Sequence, residues 1–178
     1  YRGEVTSIEG GPGVGKTRLC VKLAHEVACS GRVLYIDCDL SLQPNILRQI
    51  LKSLDLPFAP PLLTETKRYG YNSNYIIHQF SEDSLPDLSI PSLFHIAICS
   101  SPSDLFNIVN LYIKNAQPDL IIVDSAISLF QSLQGSDAPG SSMLQEFAIE
   151  FKKIVQKCNC VGLITNSLRS QPSHGSIV

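Results

Sequence analysis

Residues 10 to 17 read Gly10-Gly11-Pro12-Gly13-Val14-Gly15-Lys16-Thr17, two glycines five positions apart followed by a lysine and a hydroxyl. That is the spacing of a phosphate-binding loop. Glycines let the backbone curl until successive N–H groups face one anion, and a helix starting just after them adds its positive N-terminal end. Lys16 supplies a full charge for the β- and γ-phosphates, and Thr17 a hydroxyl for magnesium. The candidate cofactor-binding set is Gly10, Gly11, Pro12, Gly13, Val14, Gly15, Lys16, Thr17 and Arg18. A glycine-rich turn that merely precedes a helix is the bland alternative, and the strand before and helix after weigh against it.

Magnesium needs a carboxylate as well, and Asp124, at the end of the apolar run Leu120 to Val123, has the type and place. An aspartate there can also just open a turn. Thr17 and Asp124 are therefore the candidate magnesium ligands. Ser125 follows Asp124, so a glutamate base for attacking water is missing from that seat. Asp37 and Asp39 end the run Val33 to Ile36 and open onto the same crevice in a parallel sheet. Asp39 is the candidate to polarise water, with turn capping as its other role, and Asp37 reads as a structural cap. Lys16, Asp39 and Asp124 form the candidate catalytic set. Asn166, closing the run from Val161 to Thr165, is the candidate sensor of a γ-phosphate. The chain holds no Asn-Lys-x-Asp, which counts against a GTPase.

The elements that must hold these residues follow from periodicity. Val5 to Glu9 reads as a strand, and Leu19, Leu23, Val27 and Ala28 recur at helical spacing until Ser30 and Gly31. Val33 to Ile36 is a buried strand, and Pro44 opens a helix carrying Ile46, Leu47, Ile50, Leu51 and Leu54 on one face. From 56 to 91 the pattern dissolves into a long insertion with a Lys67-Arg68-Tyr69-Gly70-Tyr71 cluster, where partner docking and single-strand contact are both open. Leu93 to Cys99 is a strand, Pro102 to Asn115 a helix, and Leu120 to Val123 a strand. Gly135 to Ser142 is a loop, Met143 to Lys157 a helix, and Val161 to Thr165 the fifth strand. The alternation predicts an α/β fold, with a mostly parallel sheet between two helical layers, in one domain over 1–178.

Fourteen basic against sixteen acidic residues leave a formal charge of −2, so no bulk attraction to nucleic acid or acidic lipid is expected. Hydrophobic residues at 44% and charged ones at 17% exclude a disordered chain. No apolar run approaches the ~18 residues of a membrane helix, and no partner membrane is expected. The six cysteines, with one residue between Cys158 and Cys160, read as reduced, buried thiols of an intracellular protein. His25, His78 and His95 lack ligand spacing to Cys, Asp or Glu, so packing or surface roles are expected rather than a transition-metal site. Opening on Tyr1 and entering a strand almost at once, the chain reads as a piece of a longer protein.

The segments 3–10, Leu34-Tyr35-Ile36-Asp37-Cys38-Asp39, 119–129 and Gly162-Leu163-Ile164-Thr165-Asn166, in this order around the phosphate loop, resemble the RecA/RadA recombinase core. The likeness is greatest to the eukaryotic paralogues of the strand-exchange recombinase. It implies a phosphate-loop, RecA-type three-layer fold with ATP and Mg2+ as cofactors. Lys16 and Thr17 would then sit on phosphate and magnesium, Asp124 would be the Walker B aspartate, and Asp39 would stand where the family keeps a glutamate. Implied partners are the strand-exchange recombinase and other paralogues in a hetero-oligomer, with single-stranded DNA, in the nucleus. The implied activity is help to recombinase filaments in homologous-recombination repair, with weak DNA-dependent ATP hydrolysis. A nucleotide-stabilised structural subunit, or a RecA-like ATPase outside recombination, are the other readings. Asp39 is one methylene shorter than glutamate, and Ser167 replaces the family's nucleotide-coupling glutamine. The loop 135–142 carries Asp137 and no Lys or Arg, which leaves Arg169 as the candidate DNA contact, with His174 a weaker one and plain solvation the alternative for both.

Overall fold

Runs of β-branched and aliphatic residues become strands here because both of their faces meet helices, so every side chain along them can be apolar. The computed structural model describes residues 1–56, 65–68, 76–79, 93–131 and 139–167. In chain order the elements are β1 (Val5–Gly10), α1 (Lys16–Ala28), β2 (Val33–Asp37), α2 (Pro44–Ser53), β3 (Glu65–Arg68) and β4 (Ile76–Gln79). They continue with β5 (Phe94–Ile98), α3 (Pro102–Asn115), β6 (Leu120–Asp124), α4 (Ala126–Gln131), α5 (Pro139–Cys158) and β7 (Val161–Ser167).

The strands form one sheet in the order β1-β7-β6-β2-β5-β4-β3. The first five are parallel, and β4 and β3 extend the β5 edge antiparallel. The five-stranded parallel sheet flanked by helices is the α/β, RecA-like architecture expected from the sequence. The segment 56–91, expected as a long insertion, contributes β3 and β4. The rest of it, with Tyr69 and Tyr71, lies outside the described residues, as do Asp137, Arg169 and His174.

Alternation along the strands sorts the core into two layers. Leu34, Ile36, Ile121 and Val123 face α3, α4 and α5, packing on Leu105, Ile108, Phe130, Phe147 and Phe151. Val33, Tyr35, Leu120 and Ile122 face α1 and α2, packing on Cys20, Val21, Ala24, Leu47 and Leu51.

Three expectations shift. The buried stripe of α1 is Cys20, Val21, Ala24 and Ala28, while Leu19 is 46% exposed, so small residues rather than leucines let this helix approach the sheet. Helix α5 starts at Pro139 instead of Met143, because proline at a first helical position needs no N–H and already has the right φ. Cys29 is exposed and Cys158 half-buried, whereas Cys20, Cys38, Cys99 and Cys160 are buried, and all six are free thiols. Among the described residues no helix is long and apolar enough to cross a membrane.

Candidate phosphate-binding site

Register places the chemistry at one edge. Gly10 pairs with Ser167, and Asp37 with both Asp124 and Ile98, so β1, β7, β6, β2 and β5 end side by side. In a parallel sheet that carboxyl edge is where a crevice opens.

The loop from β1 to α1 turns through Gly13 (φ 77°) and Gly15 (φ 98°), backbone angles that side chains with a Cβ resist. Gly15 caps α1 without a side-chain hydrogen bond, and the first turn of the helix holds no acidic residue. Its leading N–H groups are thus neither capped by a side chain nor opposed by a carboxylate there, which suits an incoming anion. Lys16 Nζ donates to the carbonyls of Gly10 and Gly11, at 2.9 Å each, so the ammonium also ties down the loop it belongs to.

Lys16, Thr17, Asp39, Ser41, Asp124 and Ser167 line one cleft of about 410 Å3, with Pro12, Gly13, Gly15 and Arg18. Ile46 and Ile50 of α2 form its apolar wall. The side chains expected at magnesium and phosphate are therefore neighbours in space. Arg18 also donates from Nη2 to the Ser53 carbonyl at 2.8 Å, which anchors α1 to the end of α2.

Asp124 is 2% exposed, yet both of its carboxylate oxygens have partners. Tyr35 Oη donates to Oδ2 at 2.5 Å, and Thr165 Oγ1 donates to Oδ1. Burial and the adjacent Asp124 charge push the Tyr35 phenol well above its ordinary range, so it remains a donor. The same two causes push the Cys20 thiol up to about 12. Tyr35 is not among the residues expected at the site. Its signal was a phenol inside a run that is otherwise aliphatic, since a buried tyrosine hydroxyl needs a partner.

Asp37 shapes the next loop. Its carboxylate accepts from the backbone N–H groups of Leu42 (2.8 Å), Ser41 (3.1 Å) and Asp39 (3.4 Å), the capping role expected of it. Desolvation raises its pKa to about 6, with Asp39 adding to the rise and the Leu42 and Ser41 N–H groups opposing it. Asp39 Oδ1 accepts from Ser41 N at 3.1 Å, so the same carboxylate that lines the cleft also caps its own turn. Leu40 is held between them at φ 60° and is 53% exposed.

Asn166 is placed differently from the expectation. Side chains alternate along β7, and with Thr165 directed at Asp124, Asn166 turns to the other face, where Nδ2 donates to Ser7 Oγ at 3.2 Å. Ser167, not Asn166, borders the cleft.

The five-stranded parallel sheet flanked by helices, with this cleft at its carboxyl edge, is consistent with a RecA-like fold. Relatives agree: a Bos taurus protein named DNA repair protein RAD51 homolog 4 is 25% identical over 99% of this chain and 50% of its own length. The Mus musculus protein of that name is 46% identical over 30% of this chain and 17% of its own. DNA repair and recombination protein RadB of Methanocaldococcus jannaschii is 41% identical over 28% of this chain and 23% of its own. The chain spans half the length of the bovine relative and less of the others. No protein-family model matches it. These likenesses, at low identity or over short stretches, support a RecA-type recombinase paralogue.

Proposed function

We propose that the protein binds ATP with magnesium in this cleft and serves homologous-recombination DNA repair in the nucleus. There it would promote or stabilise filaments of a strand-exchange recombinase on single-stranded DNA, as one subunit of a hetero-oligomer with that recombinase and other paralogues. The observation that carries the nucleotide is the uncapped start of α1 behind a loop with two left-handed glycines and Lys16. The repair role is supported by the names of the relatives, DNA repair and DNA repair and recombination proteins.

The residues fit the cofactors. The N–H groups at the head of α1 and the Lys16 ammonium match phosphate oxygens. Thr17 hydroxyl and Asp124 carboxylate are hard oxygen donors of the kind magnesium takes. When bound, magnesium neutralises developing phosphate charge. Asp39 is the group within the cleft that can orient water, but one of its oxygens already serves the Ser41 N–H. Slow turnover follows, because a base committed to a turn is not free to track an attacking water. That tether also favours the second reading, a subunit in which nucleotide stabilises structure without useful hydrolysis.

ATP turnover by the full-length protein, alone and with single-stranded DNA, separates the two when a Lys16→Ala control is run beside it. DNA-stimulated turnover that the control lacks supports an ATP-driven role at filaments. Turnover no greater than the control, with nucleotide still raising the thermal midpoint of the wild type, assigns the nucleotide to structure. Loss of both turnover and nucleotide binding in the wild type overturns the reading.

A further inference from the structure

We infer that Tyr35, acting with Thr165, is a positioning residue that fixes the Asp124 carboxylate for a divalent cation in the cleft. The inference rests on the reading of the cleft given above and adds two residues to it.

Burial alone does not explain the phenol. Tyr35 is fully buried in the layer beneath α1, in ring contact with Phe94 at 6.2 Å, where a phenylalanine would fill the same apolar space. What the hydroxyl adds is its bond to Asp124 Oδ2. With Thr165 on Oδ1, each carboxylate oxygen is gripped by one hydroxyl from the strand on either side, β2 and β7, so the plane of the group is set by the sheet itself. Each oxygen of a carboxylate has two acceptor positions, so one on each is left over.

Both donors are neutral, and that choice matters. Asp119 shows the alternative in the same fold: its carboxylate is paired with the Arg2 guanidinium at 2.6 Å and with the Arg32 backbone N–H, and its charge is spent within the protein. Asp124 is instead oriented by hydroxyls. A nearly buried carboxylate that lines a cleft and is oriented by two neutral hydroxyls is suited to a cation arriving from that cleft.

The test is the gain in nucleotide affinity that magnesium confers, measured by titrating a fluorescent ADP analogue with magnesium and with EDTA. Tyr35→Phe and Thr165→Val each delete one donor while keeping volume. Losing a group that orients a metal ligand costs about ten-fold or more in metal affinity, so each variant should shrink the magnesium-dependent gain by that factor. Affinity in EDTA should stay at the wild-type value. In an Asp124→Asn background Tyr35→Phe should produce no further loss, because its route of action is gone.

An unchanged or larger gain in both variants overturns the inference while leaving the cleft reading intact. A parallel fall in both affinities also overturns it, since that is the signature of packing alone. No magnesium-dependent gain in the wild type overturns the cleft reading itself, and the inference with it. If Tyr35→Phe fails to fold, Thr165→Val decides.

Discussion

At the scale of the residue, the loop between β2 and α2 concentrates local cost. Leu40 has φ 60°, a region where a Cβ crowds the backbone, and its side chain is more exposed than buried, so packing contributes little in return. Relief of left-handed strain is worth about 1–2 kcal/mol, and glycine's extra freedom in the unfolded chain offsets about 0.5–1 of it. Leu40→Gly should therefore stabilise the protein by about 0.5–1 kcal/mol, read as a higher urea midpoint with unchanged m-value. A lower midpoint would mean that Leu40 makes contacts its exposure does not suggest. The loop is otherwise organised by Asp37, whose three backbone acceptances hold Asp39 and Ser41 at the rim of the cleft.

At the scale of the element, β7 and α5 approach closely at Gly162. A Cβ built on Gly162 would lie 2.8 Å from Val155 Cγ2, 3.0 Å from Phe151 Cε1 and 3.1 Å from Val5 Cγ2. Two helix side chains and a neighbouring strand thus close on one glycine, and the two from the helix, Phe151 and Val155, are themselves buried. Gly162→Ala should cost about 1–3 kcal/mol through overpacking. Because β7 carries Thr165 and Ser167 toward the cleft, nucleotide affinity should weaken along with stability. Equilibrium unfolding and the fluorescent titration, run on one preparation, check both effects. Helix α3 is more ordinarily built, with Ser101 Oγ accepting from Asp104 N at its start and Pro102 in its first turn.

At the scale of the whole molecule, stability depends on pH through buried titratable groups. His25 of α1 is buried, its Nε2 has no hydrogen-bond partner among the described residues, and desolvation lowers its pKa, with Glu26 opposing. A histidine depressed in the folded state binds fewer protons there than when unfolded. Its neutral form therefore supports the fold above the unfolded value of 6.5, and that support is lost as pH falls below it. Asp37 has the opposite sign: raised to about 6, it favours the fold at low pH and loses that contribution as pH climbs from 3.8 through 6. Comparing the wild type with His25→Leu isolates the first term. The variant should lose less stability than the wild type between pH 7.5 and 5, and equal slopes would remove His25 as the cause.

The sequence by itself determined the chain order of the five parallel strands, the glycine-rich turn after the first and the carboxylates at strand ends, because periodicity and glycine spacing are local properties of the chain. It also carried a trace of Tyr35, though not the partner. Only the tertiary structure decided which carboxylate oxygen meets which hydroxyl, since Tyr35, Asp124 and Thr165 come from three strands whose pairing is a long-range choice. The same is true of Asn166 and Ser167. One step of pleat separates the cleft from the opposite face, and a side-chain period of two makes that assignment turn on register, which no local pattern encodes.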